Sequence, residues 1–595
     1  MSLYTLASVL MKRGIRRNLS ISTHSVFNQS SPLHDINVFK SDAALVDSVK
    51  VFGGTHVNLL EKFGVDSGSA SLMHAAETAE KNRPTLRQFD NYGRRIDIAE
   101  YHDSYHTIMK HGLEHGCAGH GFKHNIPGSH VTRAALIYME NQVEPGHCCP
   151  IVMTAAAIPV LKRVPGMEQH VEKLISHKYD PRDVPISEKA GITMGMSMTE
   201  KQGGSDVRAN TTTAIAATPQ ESAGGHNAYL LTGHKWFTSA PMCDAFLTLA
   251  KVSPDGASTA ATAADPKIAP SCFLVPRWKP DGERNTGFQV MRLKDKLGDR
   301  ANASSEVEYR GAYGQLIGEP GKGVKTIIEM VQSTRLDCIL GSAGAARRAL
   351  QVAVNHASGR KAFGNTLLQQ PLMRNVLTDL CVESEAHTFN AMYMARSFDR
   401  YYTSNDENER ALFRIGVSVS KYYVTKRLPG FVYECMEAMG GNGYVEDFPM
   451  ARLFRQSPLN AIWEGSGNVI ALDILRGHKE LPILLADINS VRGSDSRLDA
   501  FIAQLEGSVE SVLAEPMSVH TQKAARNLVD RAALALQASI LIRYGHSQVA
   551  EAFLASRIPC AETAAARGMN FGGYAVFSDA QCNAILERNM PVFEK

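Results

Sequence analysis

The sequence predicts an α+β multidomain protein: an N-terminal helical domain, a middle antiparallel β domain, a C-terminal helix bundle and an additional C-terminal helical segment. Three observations carry that prediction. The 595 residues exceed what a single core supports, so several domains are expected. Near Gly191, helical periodicity gives way to short β-branched and aromatic runs bounded by Gly, Asn, Asp and Pro. After Glu319-Pro320-Gly321 the periodicity returns, with apolar residues at three- and four-residue steps. Apolar residues at 44% and charged residues at 21% fit a folded chain, and no run approaches the ~18 apolar residues of a membrane span. A net charge of +3 lacks the basic excess of a dedicated nucleic-acid binder. Ten scattered cysteines, with one adjacent pair (Cys148, Cys149) and no Cys-x-x-Cys, read as reduced thiols.

The first residues carry Lys12, Arg13, Arg16 and Arg17, many serines and no acid before Asp35. Residues 1–22 therefore read as a mitochondrial transit peptide, which implies a matrix location. Residues 23–190 read as mostly helical, with helices over 43–62, 132–142 and 158–178. Turns are expected at Pro127-Gly128, Pro145-Gly146 and Pro165-Gly166. Histidines are frequent here (His111, His115, His120, His124). His111 and His115 share a helix face, but with no His-Glu-x-x-His pattern or third ligand nearby, no metal site is expected.

Residues 191–318 give strands at 210–216, 228–232, 236–239, 246–252, 271–275 and 305–309, a sandwich or barrel, with 253–270 as an exposed loop. In the bundle, 319–477, one helix face runs Ile339, Ala343, Ala346, Leu350, Val354. A later one runs Phe413, Val417, Val424, Leu428, interrupted at Ser420. Pro371 suits a first helical turn. Residues 478–595 add helices over 498–513, 521–544 and 548–556. A β domain between two helical domains makes clefts, where large ligands bind.

Four stretches carry chemistry. Met198-Thr199-Glu200, followed by Gly203-Gly204-Ser205, supplies hydroxyl and backbone donors at a strand-to-turn junction. Trp236-Phe237-Thr238 offers an indole to stack on a flat ring and a hydroxyl to donate to it. Gly440, Gly441 and Gly443 let the backbone take positive φ and let a bulky ligand approach. In Trp463-Glu464-Gly465-Ser466-Gly467-Asn468, a carboxylate beside an indole and short of water suits a general base. Read alone, that last stretch is also accounted for by a helix C-cap followed by a turn, with Glu464 solvated at its edge.

In this order, and together with Arg360-Lys361-Ala362-Phe363-Gly364, these segments resemble the signatures of the acyl-CoA dehydrogenase flavoproteins. The 23–29 segment, Lys201-Gln202 and Arg300-Ala301-Asn302-Ala303-Ser304 are similar to the AidB-like, alkylation-response branch. The resemblance implies FAD as cofactor. Met198, Thr199, Trp236 and Thr238 would line its isoalloxazine, with Gly204 and Ser205 at the pyrophosphate. Arg360, Phe363, Gln370, Glu437, Gly440 and Gly441 would reach the FAD of a neighbouring subunit, and Gly467 and Asn468 complete the cofactor set. A homo-oligomer, dimer or tetramer, follows.

The resemblance further implies that Glu464 abstracts the α-proton of an acyl-CoA thioester while the β-hydrogen leaves as hydride to flavin N5. Arg335 would contact substrate, and an electron-transferring flavoprotein would accept the electrons. Thr334 stands where isovaleryl-type members carry their base. Two departures are Glu437 and Pro371, each where the family has Gln, with Gln370 one step early. The runner-up reading is an AidB-like flavoprotein with weak dehydrogenase activity and a nucleic-acid-associated role. From Gly477 onward, however, eleven Lys and Arg stand against thirteen Asp and Glu, too little positive charge for phosphate binding.

Overall fold

A computed structural model describes residues 25–254, 256–558, 571–573 and 575–593; the expected transit peptide, 1–22, lies outside them. Helices, sheet and helices follow one another along the chain in the predicted order. In the N-terminal region the helix expected over 43–62 is two, Ala43–Val51 and Val57–Ser67. They part at Gly53-Gly54, where a Cβ on Gly54 would stand 2.7 Å from Val49 Cγ1. The helix expected over 158–178 is likewise divided: Pro145–Leu161 ends before the Pro165-Gly166 turn, and Glu168–Leu174 follows it. Pro145 begins a helix capped by Glu144, whose carboxylate accepts from the N–H groups of Gly146 and His147 at 2.7 Å each. A short hairpin escaped the sequence reading, β1 (Thr85–Phe89) with β2 (Arg95–Glu100).

The β domain comprises β3 (Met194–Ser197), β4 (Thr213–Ala216), β5 (Ala228–Thr238), β6 (Ala245–Val252), β7 (Pro270–Pro276), β8 (Phe288–Leu293) and β9 (Ser305–Ile317). They pair in the order β3-β6-β4-β5-β9-β7, with β8 on β9. The β6–β7 pairing returns the path on itself, so the sheet closes into a small barrel. Phe246, Phe273, Val290 and Tyr309 lie in its core. The sheet is not wholly antiparallel: β6 runs parallel to both β3 and β4. The chain reverses twice between β4 and β6, which restores its direction. Where two strands were expected, β5 is one, with a register shift between Leu231 and Thr232 beside Gly233. There φ is +154° and a Cβ would fall 2.6 Å from Thr212 Oγ1.

Three long helices, Gly323–Gly359, Pro371–Ser404 and Glu407–Ala438, form the bundle. The additional segment does not stand apart from it. Its helices Val519–Tyr544, Ser547–Arg557 and Asp579–Asn589 lean back on the bundle, and Ser496–Ala514 packs on Val519–Tyr544. Buried Arg557 pairs with Asp379 at 2.7 Å and Glu383 at 3.0 Å, and Arg588 reaches both Glu385 and Asp47. Phe593 then pairs with Ile36, joining the two ends of the described chain. Among the described residues no helix is long and apolar enough to cross a membrane.

Candidate active site

Residues 463–465 form a turn whose middle residue, Glu464, has φ of +55°. A side chain in that left-handed region costs on the order of 1–3 kcal/mol and persists only where its surroundings hold it. Here all three successive carbonyls are held by cations from two bundle helices. Lys421 Nζ donates to the carbonyl of Trp463 at 2.8 Å and of Gly465 at 2.6 Å. Arg335 Nε donates to the carbonyl of Glu464 at 3.3 Å, while its other nitrogens bind Ser418 Oγ and Asp473 Oδ2. Trp463 Nε1 donates to Asn460 Oδ1 at 2.7 Å, fixing the indole. The half-buried Glu464 carboxylate accepts from Thr334 Oγ1 at 2.7 Å. One oxygen is thereby oriented by a hydroxyl.

Lys421 was missed in the sequence, although a signal was present. It falls on the apolar stripe Phe413, Val417, Val424, Leu428, one turn after Val417, where a lysine has no place unless it is paired inside. Burial pushes its amine down to about 8. Arg335, expected at the substrate, has its guanidinium spent on the turn and on Asp473, next door to Thr334.

The flavin-lining residues expected from the β domain form one patch. Trp236 N–H donates to the Thr199 carbonyl at 2.8 Å, and Asn210 Nδ2 donates to the Met198 carbonyl at 2.8 Å. Gly204 packs so closely on Thr199 that a Cβ would lie 2.4 Å from its Oγ1. Buried Thr238 hydrogen-bonds Ser197 through their hydroxyls. Ser205 is exposed beside Gly204. Beneath them, buried Glu200 anchors the loop. It accepts from Lys235 Nζ at 2.8 Å and from the hydroxyls of Thr211 and Thr212. Burial alone would raise its carboxyl, but Lys235 carries it down to about 2. Cys149, on the helix Pro145–Leu161, has both Ser239, which follows Thr238, and Glu464 among its electrostatic neighbours. Hydroxyls, backbone donors and an indole, the last with Lys294 Nζ over its ring at 3.4 Å, are gathered in one patch; this is the donor set a flavin requires, and these residues fit FAD.

Of the remaining predicted residues, Arg360, Phe363, Gln370, Glu437, Gly440 and Gly441 lie on a second, outward-facing surface, whereas Gly467 and Asn468 follow the Glu464 turn. Phe363 is 97% exposed at the tip of the Lys361–Ala362/Asn365–Thr366 hairpin, with φ of +50°. Gln370 Nε2 donates to the Ala362 carbonyl at 2.8 Å, and Pro371 begins the next helix. Glu437, Gly440 and Gly441 are exposed, with Gly440 at φ +58°. The chain's first described residues brace this surface. Asn28 exchanges hydrogen bonds with the backbone of Lys361 and accepts from Arg360 through its carbonyl, and Asn442 meets Gln29. Gly467 packs on Lys426 and Tyr422, and Asn468 Oδ1 accepts from Arg526 of the additional segment at 2.8 Å. His111 and His115 are otherwise engaged, His111 with Glu140 at 2.8 Å and His115 with the His111 carbonyl at 2.9 Å.

Comparison with known proteins matches three family models in succession. The adaptive response protein AidB N-terminal domain covers residues 28–181, the acyl-CoA dehydrogenase middle domain 195–312, and the acyl-CoA dehydrogenase C-terminal domain 321–478. The chain is 39% identical over 492 residues to AidB of Escherichia coli (strain K12), covering 81% of this chain and 86% of that one. The Caenorhabditis elegans protein ACDH-11, solved in complex with C11-CoA, superposes with a TM-score of 0.77 at 25% identity, over 90% of this chain and 93% of that one. An acyl-CoA dehydrogenase from Bacillus anthracis complexed with FAD shares the fold at a TM-score of 0.60 and 18% identity, over 82% and 86%.

Proposed function

Because the chain belongs to the acyl-CoA dehydrogenase family, a family of FAD-dependent oxidoreductases acting on CH–CH groups, we propose that it oxidises an acyl-CoA thioester to the α,β-enoyl thioester with Glu464 as base. Bound FAD supplies the acceptor for the β-hydride. Glu464 would take the α-proton, and loss of the β-hydrogen as hydride to an FAD held by Met198, Thr199, Trp236 and Thr238 would leave the Cα=Cβ double bond. Thr334 donates to one carboxylate oxygen and leaves the other for the proton. Lys421 fixes the carbonyls on either side of Glu464 and Arg335 fixes that of Glu464 itself, which limits the excursions of the base; misplacement by 1 Å can cost ~10²-fold.

The observation that carries this reading is the strained, cation-clamped turn at 463–465, since strain of this kind is retained where a side chain must be aimed. A thioester with a medium-length chain is the substrate class to try first, by analogy with the C11-CoA held by ACDH-11. The exposed set around Arg360 and Phe363 supports a homo-oligomer in which this surface completes a neighbour's FAD site. An electron-transferring flavoprotein as acceptor, and a mitochondrial matrix location, complete the proposal.

The test is anaerobic bleaching of the bound flavin by saturated acyl-CoA thioesters of increasing length and branching. Bleaching by at least one thioester, with enoyl product formed, is the expected result. A flavin that stays oxidised with every thioester overturns the reading.

A further inference from the structure

The N-terminal helical region brings together three imidazoles that the dehydrogenase chemistry does not use. His120 and His124 are one turn apart on the helix His120–His124. His56 precedes the helix Val57–Ser67, held at φ of +54° without capping it. The ring centroids lie 4.4 Å apart for His120 and His124, 4.5 Å for His56 and His124, and 4.9 Å for His56 and His120. One nitrogen from each ring lies within 4.8 Å of the other two.

Two further features separate this cluster from ordinary core histidines. His120 is only 1% exposed, and neither of its ring nitrogens has a hydrogen-bond partner among the described residues. Buried His130 is similarly unpartnered, but it is packed among the aromatic rings of Phe122, Phe398 and Tyr402, as a core residue is. The neighbours of His120 are instead other imidazoles, which give it ring contacts but no hydrogen bond to either nitrogen among the described residues.

The second feature is the orientation of His56. The Thr132 hydroxyl donates to the Thr55 carbonyl at 2.6 Å, and Thr55 N–H donates to Thr132 Oγ1 at 2.8 Å. The Thr55 hydroxyl can then donate to Thr132 Oγ1 at 3.2 Å, which makes it the acceptor for His56 Nδ1–H at 2.9 Å. That assignment leaves the lone pair on Nε2. A hydrogen bond fixing the tautomer from behind is what metal-ligating histidines have.

We propose that His56, His120 and His124 bind a divalent metal of borderline softness, Zn2+ first, through three neutral imidazoles, with the fourth position open to water. Zn–N distances of ~2.0–2.1 Å in a tetrahedron need nitrogens about 3.4 Å apart. Rotation of the two exposed rings, His56 and His124, supplies the difference. Lys123, the nearest ammonium, is exposed and free to turn away. His177 stacks behind His120 at 6.1 Å and stays outside the first shell. The bound ion ties the connection between the first two helices to the helix His120–His124, far in sequence from Glu464.

The test uses the full chain, stripped of metal with a chelator and dialysed. Zn2+ is titrated against a chromophoric competitor, and Co2+ is added separately for its visible spectrum. The wild type is expected to take up one equivalent with a dissociation constant in the micromolar range or tighter, and to show the intense visible bands of four-coordinate Co2+. His56→Asn, which keeps a residue tolerant of positive φ, and His124→Gln each weaken binding at least tenfold while flavin content stays unchanged. Both positions are exposed, so folding is preserved. Wild type binding no better than either variant, or Co2+ giving only the weak six-coordinate spectrum, overturns the proposal.

Discussion

Lys421 Nζ lies 2.6 Å from the carbonyl oxygen of Gly465 and 2.8 Å from that of Trp463, so a single buried ammonium spans the residue between them, Glu464. In the proposed reaction the base is thus aimed by a side chain whose ammonium is spent on the backbone around it. Lys421→Met keeps the length and the apolar packing but leaves two carbonyls unpaired. The expected outcome is a fall in kcat of roughly tenfold or more with little change in flavin content, plus a lower Tm. An unchanged kcat alongside a lowered Tm would reduce Lys421 to a purely structural part.

Glu464→Gln retains the Thr334 hydrogen bond and the turn but accepts no proton. Thioester-dependent flavin reduction should drop by about 10²-fold or more, with FAD content and Tm near wild type. Stopped-flow absorbance at the oxidised flavin band reads this directly. Reduction at the wild-type rate would move the base elsewhere.

Phe363 presents 97% of its surface at the tip of a two-stranded hairpin, an expensive display of an apolar ring in a lone chain. Phe363→Glu is expected to shift the mass measured by light scattering towards the monomer and to loosen FAD together with it. An unaltered mass with undiminished FAD retention would exclude this surface from assembly.

His147 is wholly buried between Glu140 at 2.6 Å and Glu144 at 3.2 Å. Burial alone would push its imidazole down, but hydrogen bonds to the two carboxylates carry it up to about 9. A folded value above the unfolded ~6.5 means that the native state binds the extra proton. The contribution to stability is therefore complete below about pH 6.5 and disappears as pH rises through 9. Burial would raise Glu140, yet His111 and His147 bring it down to about 2, so its share is present above about pH 4.5 and is lost as pH falls through 2. Tm measured between pH 6 and 10 should decline for the wild type. His147→Gln should start at a lower Tm, reflecting a stability loss on the order of 3–5 kcal/mol for breaking a buried pair, and decline less. Parallel pH profiles for the two proteins would refute the assignment.

Long elements with unbroken patterns were legible in the sequence, and short or tertiary ones were not. The expected helix at 498–513 is Ser496–Ala514, and that at 521–544 is Val519–Tyr544, because each carries several turns of apolar stripe. Strand β3 reads Met-Gly-Met-Ser, with no β-branched residue to mark it, and β8 has six residues that lean on β9 for definition. At the site, motif residues identified Glu464, but the cations that hold its turn come from helices more than forty residues away in sequence. Only the misfit of Lys421 on an apolar face announced one of them. The His56 contribution to the histidine cluster was invisible for the same reason, since 64 residues separate it from His120.

The additional segment is sewn to the rest at widely spaced points. Arg526 holds Asn468 beside the 463–465 turn, Arg557 is buried against the bundle, and Phe593 pairs with Ile36 near the start of the described chain. Heat should therefore find no separate module to melt first. A truncation inside this segment should forfeit cooperativity across the whole bundle, and calorimetry should register segment, bundle and the 463–465 turn unfolding as one event.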